Sequence, residues 1–188
     1  MSDRDIALLV AAAVLVLIGG AFAGAESAFS RISRLRAVEM TREQLGGVVR
    51  LQQVLDDPAR YLNLLTLLRV GCELAATVLV TIVCLDRIAV AWQAALLAGA
   101  GMTVVIYIVV GVAPRTLGLQ HADTVARVSA QVVVPLARVL GPLAKLLIVL
   151  GNALTPGRGF RDGPFASEAE LRDLVDLAQE NRLSLIHI

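Results

Sequence analysis

The chain has 188 residues, 57% of them hydrophobic and 18% charged, with a net charge of +1. Its mean hydropathy of +0.75 lies beyond that of water-soluble domains, in which roughly 45–50% of residues are apolar, so a soluble enzyme is excluded and residence in lipid is expected. Because the charges are segregated into particular stretches, the near-zero sum says nothing of partners, and no nucleic-acid partner is expected.

The length admits about one domain of ~100–200 residues. From Ile6 to Ala25 no charge interrupts the sequence, which matches the ~20 residues a helix needs to cross a ~30 Å hydrocarbon core. A first span over about 6–28 is predicted. The small-x-small run Ala21-Phe22-Ala23 resembles a signal-peptide cleavage site, but Asp3 and Asp5 outweigh Arg4 where a signal peptide carries net positive charge. Gly20 and Gly24 form a small-x-x-x-small pair suited to close helix packing, as do Ala95 and Gly99.

The next stretch is basic, with Arg31, Arg34, Arg36, Arg42, Arg50 and Arg60, and its apolar residues recur at near-helical spacing. Short amphipathic juxtamembrane helices are predicted over about 31–57. A new helix is predicted to start near Asp56-Asp57-Pro58, where carboxylates suit a helix N-terminus and proline suits a first turn. This second span, about 61–85, contains Arg69 and Glu73, one helical turn apart. At mid-span an unpaired charge costs ~2.5–3.5 kcal/mol or more, so the two must pair or face a cavity. One reading is an ion or substrate pathway; the other is an intrahelical salt bridge that fixes packing. Cys72 and Cys84 share this helix at a separation too long for a disulfide and read as apolar filler.

After a minimal Asp86-Arg87 connector, a third span covers about 88–113, with Trp92 near one membrane face. It ends at Gly111 and Pro114. Pro114 either simply terminates the span or frees carbonyls one turn earlier, as in the broken helices of transporters. At the end of the first span, Glu26, beside Ser27 and Ser30, reads as a solvated carboxylate pairing with Arg31 or Arg34, or as part of an ion path. The excess of arginine in the 31–60 connector places it in the cytoplasm, with the N-terminus outside and the C-terminus cytoplasmic.

The stretch 123–154 is apolar but carries Arg138, Lys145, Pro135 and Pro142; a bent interfacial or re-entrant helix fits it better than a fourth span. Turn residues dominate a linker at 155–166. At 167–188 a soluble helix is predicted, with Ser167 and Glu170 as a capping box, and the final residues break its charged pattern as a truncation or fusion scar would. His121 and His187 stand alone, so no zinc site is expected, and no phosphate loop, HExxH pair or nucleophile elbow marks an enzyme.

Several segments together resemble the transmembrane domain of the CNNM/CorC (HlyC/CorC, hemolysin-like) family of magnesium and cobalt transport proteins. They are Ala21-Phe22-Ala23-Gly24-Ala25-Glu26-Ser27-Ala28-Phe29 followed by Ser33-Arg34-Leu35-Arg36, then Tyr61-Leu62-Asn63, Val70-Gly71 with Leu74-Ala75, and Pro114-Arg115-Thr116-Leu117. The resemblance covers nearly the whole chain. It implies an all-α integral membrane fold of three spans with a juxtamembrane helical belt in 1–154, a plasma-membrane location and assembly as a homodimer or as a heterodimer with a relative. It also implies that Ser167-Glu168-Ala169-Glu170-Leu171 begins an acidic linker toward cytosolic CBS domains, which are absent from these 188 residues.

Family members, the resemblance implies, hold a magnesium ion through a serine on the first span, asparagines in a Gly-Asn-Asn-x-x-Asn stretch on the second and a glutamate in a Gly-Glu-x-x-Pro-Lys stretch on the third. This chain departs at those positions: Ala23, Gly24 and Ala25 carry no hydroxyl, Cys72 and Ala76 stand for the outer asparagines in Gly71-Cys72-Glu73-Leu74-Ala75-Ala76, and Gly111 stands three before Pro114. Magnesium wants oxygen ligands in near-octahedral geometry, which Cys, Ala and Gly side chains do not supply. Two functions are therefore expected to compete. One is divalent-cation transport, with Mg²⁺ as the cargo, no resident cofactor, and Glu26, Ser27, Arg69, Glu73, Gly111 and Pro114 as pathway candidates. The other is a non-transporting regulatory or scaffolding subunit. Nothing in the residues supports a secreted toxin, despite the hemolysin label.

Overall fold

A computed structural model describes residues 2–154; the expected linker at 155–166, the helix at 167–188 and the side chain of Lys145 lie outside the described residues. Every described element is helical, as the apolar sequence requires of a chain whose backbone groups must bond internally in lipid. The elements are α1 (Asp3–Phe29), α2 (Arg34–Arg42), α3 (Val48–Asp56), α4 (Pro58–Arg87), α5 (Ala91–Ile106), a π-helical turn (Tyr107–Val112), α6 (Ala113–Gln120) and α7 (Ala122–Leu154). They fall into two compact units, residues 2–27 with 65–120 and residues 28–64 with 121–154.

The first unit contains α1, most of α4, and the run from α5 through α6. Its core is small: Ala12, Val16 and Ala23 of α1 meet Ala76 of α4, Met102 of α5 and Val110 of the π turn. Large apolar side chains point outward instead, among them Leu17, Leu74, Leu96 and Leu97, each more than 60% exposed. That pattern inverts a water-soluble protein and suits helices in hydrocarbon, where close backbone approach replaces the hydrophobic effect as the packing force. At one end of α1 and α4, Arg87 hydrogen-bonds the buried Asp5 carboxylate, and Arg4 pairs with Asp86 at 3.5 Å. Asp86 and Arg87 thus belong to the last turn of α4, and the connector is 88–90 rather than the expected Asp86-Arg87 pair.

Pro114 does not end the third apolar helix; α6 carries it on to Gln120. The π turn explains this. The Ala113 N–H reaches back five residues to the Ile108 carbonyl. One more rung of that ladder would need a hydrogen on the Pro114 nitrogen, which proline lacks, so the widened turn absorbs the missing donor that would break a regular helix. The Pro114 ring then lies against bare backbone. A side chain added to Gly20 would come within 3.1 Å of Pro114 Cγ and 3.2 Å of the Val109 carbonyl oxygen, and one added to Gly24 within 3.1 Å of the Pro114 carbonyl. On α5 the tight small pair is Ala94 and Ala98, both buried, whereas an added Cβ on Gly99 meets nothing within 4 Å among the described residues, so the expected Ala95/Gly99 pair does not pack against them.

In the second unit, α2 is capped by the Ser33 hydroxyl, which accepts from the Arg36 N–H. Helix α3 packs on α7, burying Leu51 and Val54 completely, and α7 offers small residues such as Ala126 and Ala130 to the interior. Gly47 starts α3 at φ +87°, a left-handed conformation that glycine adopts without strain, and an added Cβ there would meet Gln131 Nε2 at 2.9 Å. Helix α7 is continuous through Pro135 and Pro142 instead of stopping at them. The carbonyl four residues before Pro135, that of Gln131, has lost its helical donor, and the Arg50 guanidinium bonds it at 2.7 Å. Continuity matters for the span count. With α7 unbroken, Ala122–Leu143 is long and apolar enough to cross a membrane, so among the described residues four helices meet that criterion, by length and composition, where the sequence predicts three spans and a belt. The two charges and the proline at 135 interrupt the sequence but not the helix.

Candidate functional site

The charges predicted to sit within the spans come together. Helix α1 delivers Glu26 near its C-terminal end and α4 delivers Arg69 and Glu73, four residues apart and hence on one face. Arg69 Nε lies 3.5 Å from Glu26 Oε2, and Arg69 Nη1 lies 3.5 Å from Glu73 Oε1. All three side chains are largely enclosed, at 18, 15 and 17% exposure for Arg69, Glu26 and Glu73. The intrahelical pair anticipated from spacing is therefore half of a triad bridging two helices. Glu26, expected to be a solvated carboxylate, is largely enclosed and lies beside Arg69. Three charges gathered at one point on apolar helices are attracted far more strongly than in water, so drawing Arg69 away from the two carboxylates is costly.

The polar line on α4 continues beyond Glu73. The Thr77 hydroxyl donates to the Glu73 carbonyl and the Thr81 hydroxyl to the Thr77 carbonyl, both at 2.8 Å. Arg69, Glu73, Thr77 and Thr81 recur every four residues and form one stripe. That regular spacing is legible in the sequence, but the hydroxyls draw no attention there because threonine can satisfy itself within a helix. On α1 the Ser27 hydroxyl does the same, bonding the Ala23 carbonyl at 2.9 Å.

The positions at which the resemblance implies oxygen ligands are otherwise apolar. Ala23, Ala25 and Ala76 are buried, and Ala23 and Ala76 sit in the same core cluster with Val110. Cys72 lies opposite Gly19, 3.5 Å from where a side chain on that glycine would begin. Gly111 is within the π turn and Pro114 follows it against α1. Among the described residues no group of three or more His, Cys, Asp and Glu side chains converges as a metal centre.

A second charged cluster lies in the second unit. Arg36 bonds Asp123 at 2.8 Å and Glu39 at 2.9 Å, with Glu43 at 3.6 Å, and the Asp123 carboxylate raises the guanidinium above its already high basicity. Arg127 reaches the Gly46 carbonyl and Arg60 the Ala137 carbonyl. Arg36 and Arg50, which the sequence offers as part of an orientation signal, thus also tie the short helices α2 and α3 to α7.

A profile of the Cyclin M transmembrane N-terminal domain matches residues 10–184. The UPF0053 proteins Mb2387c of Mycobacterium bovis and Rv2366c of Mycobacterium tuberculosis are each 45% identical to the chain over 172 residues. Those alignments cover 92% of this chain but 39% of each relative, so the chain spans about two fifths of the length of these curated relatives. Helices that fit a bilayer, small-residue packing of α1 on the Pro114 turn, and a match over nearly the whole chain make this a multi-pass membrane protein of the CNNM transmembrane-domain family.

Proposed function

We propose that the chain is the membrane domain of a divalent-cation transport protein, with magnesium or cobalt as cargo and Glu26 and Glu73 as the groups that meet the ion. The observation that carries this reading is the enclosure of two carboxylates from different helices in the first unit, 3.5 Å from a shared guanidinium. Ionisable groups within spans are expensive and are kept where an ion or proton must be met, and carboxylate oxygens are what hard divalent cations prefer. The domain is proposed to reside in the plasma membrane with its N-terminus outside and its C-terminus in the cytoplasm. It is proposed to pair with a second copy or a relative, with 31–57 and 123–154 as its juxtamembrane belt. Flux of Mg²⁺ into liposomes containing the wild-type chain or its Glu73→Gln variant tests the reading. Wild-type flux above background that falls at least tenfold in the variant supports it; equal, background-level flux in both refutes it.

One observation favours a second reading, a non-transporting regulatory or scaffolding subunit. Ala23 and Ala76 fill an apolar core at positions where the resemblance implies ligands. Such a subunit would co-purify with a flux-competent relative and carry no flux itself, whereas a strictly homomeric, flux-competent chain would dismiss it.

A further inference from the structure

We infer that Arg69 is a built-in cation that occupies the Glu26/Glu73 pair and sets the pair's affinity for divalent metal. The inference rests on the reading of those carboxylates as the groups that meet the ion, and it adds the residue that controls them.

The guanidinium is already seated as a cation would be. It meets one carboxylate through Nε and the other through Nη1, from two different helices, and all three side chains are more than four-fifths enclosed. Arg69 and Glu73 share α4, while Glu26 comes from α1, so the arginine is the only one of the three that touches both others in the distances above. Its seat is loose. Both contacts are 3.5 Å, the length of an ion pair rather than of a charge-assisted hydrogen bond, which runs about 2.7–2.9 Å. Arg69 Nε and Glu73 Oε1 are buried without a hydrogen bond. A well-made structural bridge in a low-dielectric site would close that gap, because enclosed charged atoms left without hydrogen bonds are costly.

Guanidinium and metal cannot share the pair. A bound Mg²⁺ would sit about 2.0–2.1 Å from its oxygens, inside the 3.5 Å at which Arg69 stands from each carboxylate, so metal and guanidinium compete for the same oxygens, with like charge repelling like. For metal to enter, Arg69 must swing away or be out-competed. Its planar, spread charge satisfies two carboxylates without the octahedral shell that magnesium demands. The result is a site held closed to metal by its own side chain at low ion concentration.

The test is a Mg²⁺ titration of the purified chain in lipid nanodiscs, with thermal stabilisation as the readout, on wild type, Arg69→Gln and Arg69→Gln/Glu73→Gln. The expected result is a half-saturating Mg²⁺ concentration at least tenfold lower in Arg69→Gln than in wild type, with the gain abolished in the double variant. Equal response of wild type and Arg69→Gln overturns the inference, and so does a gain that survives loss of Glu73. Should Arg69→Gln fail to fold, Arg69→Lys keeps the charge on a shorter side chain without the second nitrogen arm; a lower half-saturating concentration is then expected, and an unchanged one overturns the inference. The transport reading fails separately. Background flux in wild type beside tighter Mg²⁺ binding in Arg69→Gln sinks transport and leaves Arg69 as the internal cation, whereas Glu73-dependent flux with no effect of Arg69 substitution does the reverse.

Discussion

Replacing Gly118 by alanine should destabilise the first unit more than any other single-methyl addition to its glycines. A Cβ there would run into the Gly24 carbonyl oxygen and come within 3.1 Å of the carbonyl carbon and 3.2 Å of Gly24 Cα. The obstacle is backbone on a neighbouring helix, so no rotamer can relieve it, and α6 must move away from α1. Moving it also opens the contacts that Gly20 and Gly24 make with Pro114. Overpacking of this kind costs about 1–3 kcal/mol, and the rigid obstacle argues for the upper part of that range. Alanine's better helix propensity offsets up to about 1 kcal/mol, leaving a net loss of about 1–2 kcal/mol. For a chain of this size each kcal/mol shifts Tm by roughly 2–4 °C, so Tm should fall by roughly 2–8 °C. Gly99→Ala is the matched control, because an added Cβ there meets nothing within 4 Å and only propensity changes. Thermal unfolding of both variants in one detergent decides the matter. A Gly118→Ala protein as stable as Gly99→Ala would refute the close approach of α1 and α6.

Arg50→Ala should cost about 1 kcal/mol by removing the donor from the Gln131 carbonyl, and the cost should vanish in a Pro135→Ala background, where residue 135 regains its own N–H; thermal unfolding of the four proteins closes that cycle. Leu51→Ala should destabilise by about 2–5 kcal/mol, since Leu51 is wholly buried, while Val49→Ala, on an exposed position of the same helix, should be nearly neutral in the same melt. Gly47→Ala should cost about 1–2 kcal/mol for its left-handed backbone alone, before any clash with Gln131 is counted, and should lower Tm. Asp5→Asn should lower Tm by breaking the bond to Arg87, whereas Asp3→Asn, on an exposed residue, should not.

Much of this fold is legible in residue order because lipid leaves few options. An uncharged stretch such as Ile6–Ala25 has to be a helix, and Pro58 behind Asp57 marks where α4 begins, as found. What composition hides is anything settled between helices. Arg69 and Glu73 announce a pair by their spacing, but the third partner, Glu26, lies more than forty positions away by number and sits at a helix end that looks solvated in sequence. Likewise Ala95/Gly99 and Ala94/Ala98 are equivalent as small-residue patterns, and only the rotation of α5 about its axis selects the second. The Thr77 and Thr81 hydroxyls satisfy themselves locally, so their alignment with the charged pair emerges only once the helix is built.

The two long helices interrupted by proline show why residue type alone misjudges a helix's continuity. At Pro114 the backbone itself adapts: a π turn moves the bonding pattern from four residues to five, and the ring fits over glycines on α1. At Pro135 the helix keeps its course and a partner adapts, with Arg50 supplying the donor that proline lacks. Groups far away in sequence serve both prolines: Gly20 and Gly24 leave room for the Pro114 ring, and Arg50 bonds the carbonyl left free at Pro135. A rule that ends helices at proline is a rule about isolated helices. In the first unit the same adaptation has a chemical consequence, because the turn that accommodates Pro114 brings the Val109 carbonyl against the bare backbone of α1, the helix that also carries Glu26.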